Sequence, residues 1–285
     1  VAWTDANSCL LVLNSAPACS KYNSRKPLLA ISNRTIKVLR LFSLDRPAWT
    51  VEKISAALGL SISSAYRYVS ALEDAGFLTA VVKGRYTLGP AIMQLDRQVQ
   101  LTDPLLSSAR AVMSDLLGYA PSNAMVVLCR RFRETVLCVH QVSQGDGLPG
   151  VSFERGRPMP VFLGATAKVI LAHVPTRDLK RMYRDRQRDI EAAKLGRNWD
   201  EFAALLAAIR KSRHAIAYAE VDPDRVGIAA PILDSNHRIL GSITYVIAAT
   251  DGASAGRLAV LAVDGAREIE NNMSIEAQNQ AARVG

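Results

Sequence analysis

Hydroxyl groups and one guanidinium crowd the run Ser61-Ile62-Ser63-Ser64-Ala65-Tyr66-Arg67. Serine hydroxyls hydrogen-bond base edges or phosphates, and arginine grips guanine or phosphate with two parallel bonds. Lys83 and Arg85 flank Gly84 where a hairpin tip is expected, a natural place for phosphate contact. Arg34 opens an amphipathic stretch and offers another backbone clamp. A different chemistry sits at Gly164-Ala165-Thr166-Ala167-Lys168, where an apolar helix begins. The first amides of a helix have no partner within it, and that end carries partial positive charge. The amides of Ala165 and Thr166 therefore suit an anion if they open into a pocket, or water or a neighbouring loop if they do not.

Catalytic chemistry finds no comparable footing. His140, His173, His214 and His237 fall in no H-E-x-x-H or similar metal spacing. There is no G-x-S-x-G elbow, and Gly145-Asp146-Gly147 reads as a turn. Cys9, Cys19, Cys129 and Cys138 show no C-x-x-C pair. Cys129 and Cys138 lie in apolar runs and read as small buried hydrophobes. The chain is expected to be no enzyme and to carry no metal or cofactor.

Hydrophobic spacing gives the elements that must position these residues. Ile36, Val38, Leu39 and Phe42 predict a helix over 31–44. Thr50 caps a second, with Val51, Ile54 and Leu58 on one stripe, and Gly59 stops it. Ser61 caps a third, running to about Ala75, with Ile62, Ala65, Val69 and Leu72 inward. Ser63, Ser64, Tyr66 and Arg67 then stand outward. Gly76 closes that helix. Two β-prone runs, 77–82 and 85–88, surround Lys83-Gly84 as a hairpin. Three helices and a two-stranded wing make a winged helix-turn-helix over residues 29–90, in which Thr50 and Ser61 join the DNA-facing set. Such a wing reads DNA, or alternatively serves protein contacts beside a metabolite-binding module.

Residues 1–28 read as a tail and 91–104 as a linker helix, packed on its own domain or used for dimerisation. Residues 105–275 mix helices and strands without strict alternation, which predicts an antiparallel sheet and an α+β class overall. Strands are expected at 125–128, 135–142, 215–219, 227–233 and 239–247, and helices at 164–174, 176–185, 199–213 and about 254–272. Residues 276–285 read as a C-terminal tail.

The 285 residues suit about two domains at roughly 100–200 residues each. The formal charge is +9, and residues 31–98 alone hold 9 Lys/Arg against 5 Asp/Glu. An excess of this kind favours anionic partners. No run of apolar residues is long enough to span a bilayer, so no membrane partner is expected and the compartment is expected to be the cytoplasm.

The run Asn33-Arg34-Thr35-Ile36-Lys37-Val38-Leu39-Arg40-Leu41-Phe42 resembles the opening helix of IclR-type transcriptional regulators. Leu60-Ser61-Ile62-Ser63-Ser64-Ala65-Tyr66-Arg67-Tyr68, Gly76-Phe77-Leu78 and Arg85-Tyr86-Thr87-Leu88-Gly89 resemble their recognition helix and wing. Further on, Gly156-Arg157-Pro158-Met159-Pro160, Gly164-Ala165-Thr166-Ala167-Lys168, Gly227-Ile228-Ala229-Ala230-Pro231-Ile232 and Leu240-Gly241-Ser242-Ile243 are similar to signatures of the second domain. The resemblance covers about residues 31–275. It implies a GAF-like effector-binding domain, a homodimer or dimer of dimers, double-stranded DNA with a partly palindromic operator, and a small-molecule effector, commonly a carboxylate. Ile62 stands where such proteins usually carry a basic residue.

Carried over residue by residue, the resemblance implies an effector pocket. Leu148, Val151 and Met159 would form its apolar wall. Ala165 and Thr166 would supply amides, and Ala217, Gly227, Thr244 and Val246 would line its floor. Here Ala217 replaces an acid, Gly227 a cysteine and Val246 a hydroxyl residue. Each change removes a polar handle or adds space, which points to a larger, more apolar carboxylate or amide, aromatic ones included. Period two supports part of this independently: Ser242, Thr244 and Val246 share one strand face, and Ile243 and Tyr245 the other.

Overall fold

The computed structural model describes residues 34–144 and 150–284. The expected tail over 1–28, and Leu148, lie outside the described residues. The chain divides into two compact units, the first ending at Asp96 and the second starting at Arg97.

The first unit runs α1 (Arg34–Leu39), β1 (Trp49–Thr50), α2 (Val51–Leu58), α3 (Ile62–Asp74), β2 (Leu78–Ala80) and β3 (Arg85–Leu88). The caps decide the helix starts. Thr50 Oγ1 accepts the Lys53 amide at 3.4 Å, and Ser61 Oγ accepts the Ser64 amide at 3.3 Å. Gly59 ends α2 in the left-handed region at φ 61°. The core joins Val38, Val51, Ile54, Ala65, Val69, Leu72 and Leu78 under Trp49.

The wing is a three-stranded sheet in the order β1-β3-β2, one strand more than the hairpin expected from sequence. The added strand is the two residues that lead into α2, with Trp49 opposite Tyr86. Gly89 closes the wing by close approach. A Cβ there would stand 2.3 Å from the Gly76 carbonyl oxygen, so no side chain fits.

Two expectations change here. The first helix ends at Leu39, before residue 44, and the chain then turns through mutual Ser43 and Arg46 backbone bonds. Ile62 is not on the inward stripe: it is 57% exposed, while Ala65, Val69 and Leu72 are buried. Its position is the first of α3, where Ser61 and Ser63 beside it are also exposed, so this turn stands clear of the core.

Helix α4 (Pro90–Thr102) occupies the expected linker and buries none of its residues; Met93 and Leu101 are exposed.

The second unit contains α5 (Pro104–Gly118), β4 (Met125–Phe132), β5 (Thr135–Ser143), β6 (Pro158–Pro160), α6 (Gly164–Ala172), α7 (Thr176–Ala192), α8 (Trp199–Ser212), β7 (Ala215–Tyr218), β8 (Arg225–Leu233), β9 (Ile239–Ala248) and α9 (Ala255–Val284). Its six strands pair antiparallel in the order β6-β5-β4-β9-β8-β7. The alternation of strand side chains divides the core into two layers. Ile243, Tyr245 and Ile247 of β9, with Val126, Leu128, Ile228 and Ala230, pack against Leu105, Ala109 and Met113 of α5 and Leu258, Ala262 and Ile269 of α9. The opposite face carries Val127, Cys129, Ala229 and Val246 under α6, α7 and α8. Cys129 and Cys138 are cross-strand partners, both buried in that layer.

Asp103 fixes the start of α5. It accepts the Leu105 amide at 2.9 Å and holds the Arg130 guanidinium of β4 through both carboxylate oxygens. Helices α7 and α9 outrun their expected ends at 185 and 272. In α7 the backbone kinks at Arg186 and Ile190 is buried beyond it. In α9 the fully buried stripe ends at Ile269, yet the helix continues to Val284 through helix-favouring Glu276, Ala277 and Gln278, so 276–284 extends α9 instead of forming a separate tail. Among the described residues, no helix is long and apolar enough to cross a membrane.

Tyr245 ties the sheet to α5, its buried hydroxyl donating to the Leu116 carbonyl at 2.9 Å. Burial pushes its phenol well above the ordinary range. The neutral form is thus favoured in the folded state. Above about pH 10, where an unfolded tyrosine ionises, the folded protein holds the extra proton and stability falls as pH rises. Tyr245→Phe should cost about 0.5–1.5 kcal/mol at pH 7 by removing one hydrogen bond from a carbonyl that the Tyr119 amide continues to satisfy. The deficit should shrink towards pH 11. Urea unfolding of both proteins across that range checks the slope, and parallel pH profiles would contradict it.

Candidate DNA-reading surface and ligand cavity

The outward face of α3 gathers the groups expected there. Ser63, Tyr66 and Arg67 are exposed, and Ile62 joins them. The Arg67 guanidinium lies over the Tyr68 ring, 5.3 Å from its centroid. Ser61 Oγ is used for capping and also donates to Ser64 Oγ at 2.9 Å. Thr50 is likewise engaged as a cap. Both hydroxyls therefore build the helix starts before they can meet a partner. Arg85 is exposed at the start of β3, and Lys83 lies in the single helical turn Val82–Gly84 at the wing tip. Arg34 is exposed at the first position of α1.

In the second unit the register brings distant residues into rows. Ala217 of β7 pairs with Gly227 of β8, and Gly227 pairs with Val246 of β9. The three positions that depart from the familiar pocket pattern thus form one continuous row without a polar side-chain atom. In the next row Ala229 pairs with Thr244. Thr244 Oγ1 shares a 2.9 Å hydrogen bond with Thr166 Oγ1 of α6, both residues being buried.

These rows line a narrow cavity whose walls are Phe153, Gly164, Ala165, Thr166, Ala217, Glu220, Val221, Asp222, Arg225, Gly227, Thr244 and Val246. The centre of a water-sized sphere can move through about 20 Å³ of it. That is room for about one ordered water. Six residues expected from sequence meet here: Ala165, Thr166, Ala217, Gly227, Thr244 and Val246. Val151 and Met159 do not line it, although both are buried in the same layer. Met159 pairs with Val136 at the far edge of the sheet, and Phe153 supplies the apolar wall.

The rim residues Glu220, Asp222 and Arg225 were not foreseen. They belong to the connection from β7 to β8 and the start of β8, which matches no motif. Glu220 Oε2 accepts the Gly164 amide at 3.1 Å, and its other oxygen pairs with Lys168 Nζ. Asp222 accepts the Ser152 amide at 3.0 Å and hydroxyl at 2.6 Å. Gly164 has φ 83°, and a Cβ there would meet Val221 at 2.8 Å, so glycine is needed on both counts. His173 caps the other end of α6, its Nδ1 against the Val169 carbonyl, and burial lowers its basicity. Among the described residues, no group of three His, Cys, Asp or Glu side chains could hold a metal ion.

A winged helix-turn-helix with a free outward helix face, followed by a two-layered antiparallel domain with an internal cavity, defines a DNA-binding regulator with a ligand-binding domain. Residues 33–81 match the IclR helix-turn-helix domain, and residues 101–269 match the bacterial transcriptional regulator IclR C-terminal domain. The chain belongs to the IclR family of transcriptional regulators. It is 24% identical over 226 residues to the HTH-type transcriptional regulator KipR of Bacillus subtilis, covering 74% of this chain and 83% of that protein. It shares its fold with an IclR regulator from Alicyclobacillus acidocaldarius at TM-score 0.69 and 20% identity, over 84% of this chain and 97% of that one. An IclR homologue from Microbacterium hydrocarbonoxydans, complexed with 4-hydroxybenzoate, superposes at TM-score 0.68 and 19% identity, over 85% and 98% of the two chains.

The two cavity hydroxyls satisfy each other. Thr244→Val should therefore strand the Thr166 hydroxyl at a cost of about 1–3 kcal/mol, and Thr166→Val should do the same. The double variant should cost clearly less than the sum of the two. Additive losses in denaturant unfolding would show that the pair is not coupled.

Proposed function

We propose that this regulator binds a partly palindromic operator as a dimer or dimer of dimers, under control of a small carboxylate of apolar or aromatic character. The proposed division is residues 29–90 for DNA reading, 91–104 as the linker and 105–275 for effector binding. Ser63, Ser64, Tyr66 and Arg67 read the major groove, with Thr50 and Ser61 at the helix starts. Arg34, Lys83 and Arg85 contact phosphates and supply the salt-dependent part of the affinity. Two copies present two α3 helices to half-sites about one helical turn apart, or a multiple of it. Helix α4, which buries none of its residues and exposes Met93, Leu95, Val99 and Leu101, supports self-association.

The observation that carries the effector reading is the apolar row Ala217–Gly227–Val246 facing the start of α6. A tiny polar acid would leave that row without contacts, whereas a ring would cover it. The related homologue's complex with 4-hydroxybenzoate supports an aromatic acid as the ligand class. The cavity, with room for about one water, must widen to admit an aromatic acid, so the ligand acts through different affinities for two arrangements of the domain.

Calorimetry with 4-hydroxybenzoate, benzoate, pyruvate and glyoxylate tests the effector class. Binding of the aromatic acids with negligible response to the oxo-acids is expected. Tight glyoxylate or pyruvate binding, and none of the aromatic acids, would contradict it. On the DNA side, Arg67→Ala should cost about 1–3 kcal/mol of operator affinity and relax sequence preference. Ile62→Arg should steepen the dependence of affinity on salt by about one phosphate equivalent. Unchanged gel-shift affinity for Arg67→Ala would remove that residue from the reading surface.

A further inference from the structure

The cavity already contains a carboxylate, and it is the protein's own. Glu220 sits on the connection between β7 and β8, just after Ala219, which adopts the left-handed region at φ 53°. One Glu220 oxygen accepts the first amide of α6, from Gly164, and the other pairs with Lys168 one turn along. The Lys168 side chain is only 15% exposed and Glu220 27%. A cation held this far from water needs a counter-charge, because removing one partner leaves a poorly hydrated charge behind. The same connection is seated by Val221 against Gly164 and by the two Asp222 bonds to Ser152. These contacts border a cavity with room for about one water.

We propose that Glu220 is a built-in occupant of the ligand's anion position, and that a ligand enters by placing its own carboxylate on the Gly164 amide and Lys168 as Glu220 swings out. This inference rests on the effector cavity described above and deepens it. The exchange swaps one anion for another, so Lys168 never loses its counter-charge and the amide never loses its acceptor. It also sets a selection rule. A neutral molecule that displaced Glu220 would strand Lys168, and a cation would add repulsion. The apolar row then selects the body of the ligand, and the Lys168–Gly164 pair selects its head. Leaving its position, Glu220 releases the β7–β8 connection at one of its seats, which gives ligand entry a mechanical consequence within the domain.

Chemical rescue tests the idea without knowledge of the natural ligand. Glu220→Ala in the full chain removes the internal carboxylate and leaves a space of nearly matching size. Sodium acetate should then raise the melting temperature of the variant in a saturable way, as ligand linkage requires. Sodium chloride at equal ionic strength should not, and neither should acetate added to the wild type. The response should disappear in Glu220→Ala/Lys168→Met. If Glu220→Ala is too unstable to fold alone, acetate should restore its folding, and Glu220→Ser provides the same vacancy with a smaller loss of polarity. Acetate without effect on a variant, or acting equally on the wild type, overturns the proposal. Either result leaves the effector cavity itself to be judged by calorimetry on the wild-type protein, so the two readings fail separately.

Discussion

The strict alternation of side chains along β8 and β9 is the constraint on which the second domain depends. It sends Ile243, Tyr245 and Ile247 to the α5–α9 layer and Ser242, Thr244 and Val246 to the α6–α8 layer. A slip of one residue would exchange those sets and place two threonine-like hydroxyl positions against the apolar helices. The register also decides where the cavity lies. Ala217, Gly227 and Val246 fall opposite one another only because three strands hold this pairing, and small side chains in one row leave space that α6 does not fill. The pocket is thus a property of sheet register more than of any single residue.

Chemistry then enters at the edges of that apolar row. On one side the buried Thr166–Thr244 pair satisfies itself. On the other, Glu220 and Lys168 carry opposite charges beside the start of α6. The first domain follows a different logic. Its core is a small apolar cluster, and its exposed α3 face leaves Ser63, Tyr66 and Arg67 outside that cluster. Caps such as Ser61 and Thr50 fix where α3 and α2 begin, and hence which residues the face presents.

Much of this architecture was legible in the sequence. Caps, terminal glycines and two hydrophobic periods are local signals, and they located α2, α3, the wing and the faces of β9. What was not legible depended on neighbours far along the chain. Ile62 has the right spacing for the inward stripe, yet the helix outruns the core at that end. The short strands β1 and β6 have two and three residues and no pattern of their own; they exist because β3 and β5 offer free edges. Phe153, Glu220 and Asp222 reach the cavity through irregular segments, where spacing carries no geometric information. Val151 and Met159 were expected at its wall through the family resemblance, but burial in the same layer did not make them lining residues.

The central claim is that this chain reads DNA through α3 as a symmetric assembly. Selection of the purified 285-residue chain on a random duplex library, followed by the affinity of the winning sequence across a salt series, tests it most directly. The account predicts an enriched palindrome with half-sites about one helical turn or a multiple apart, and affinity that falls steeply with salt. A folded protein that enriches no sequence, with or without a metabolite extract present, would contradict it and assign the wing to protein contacts.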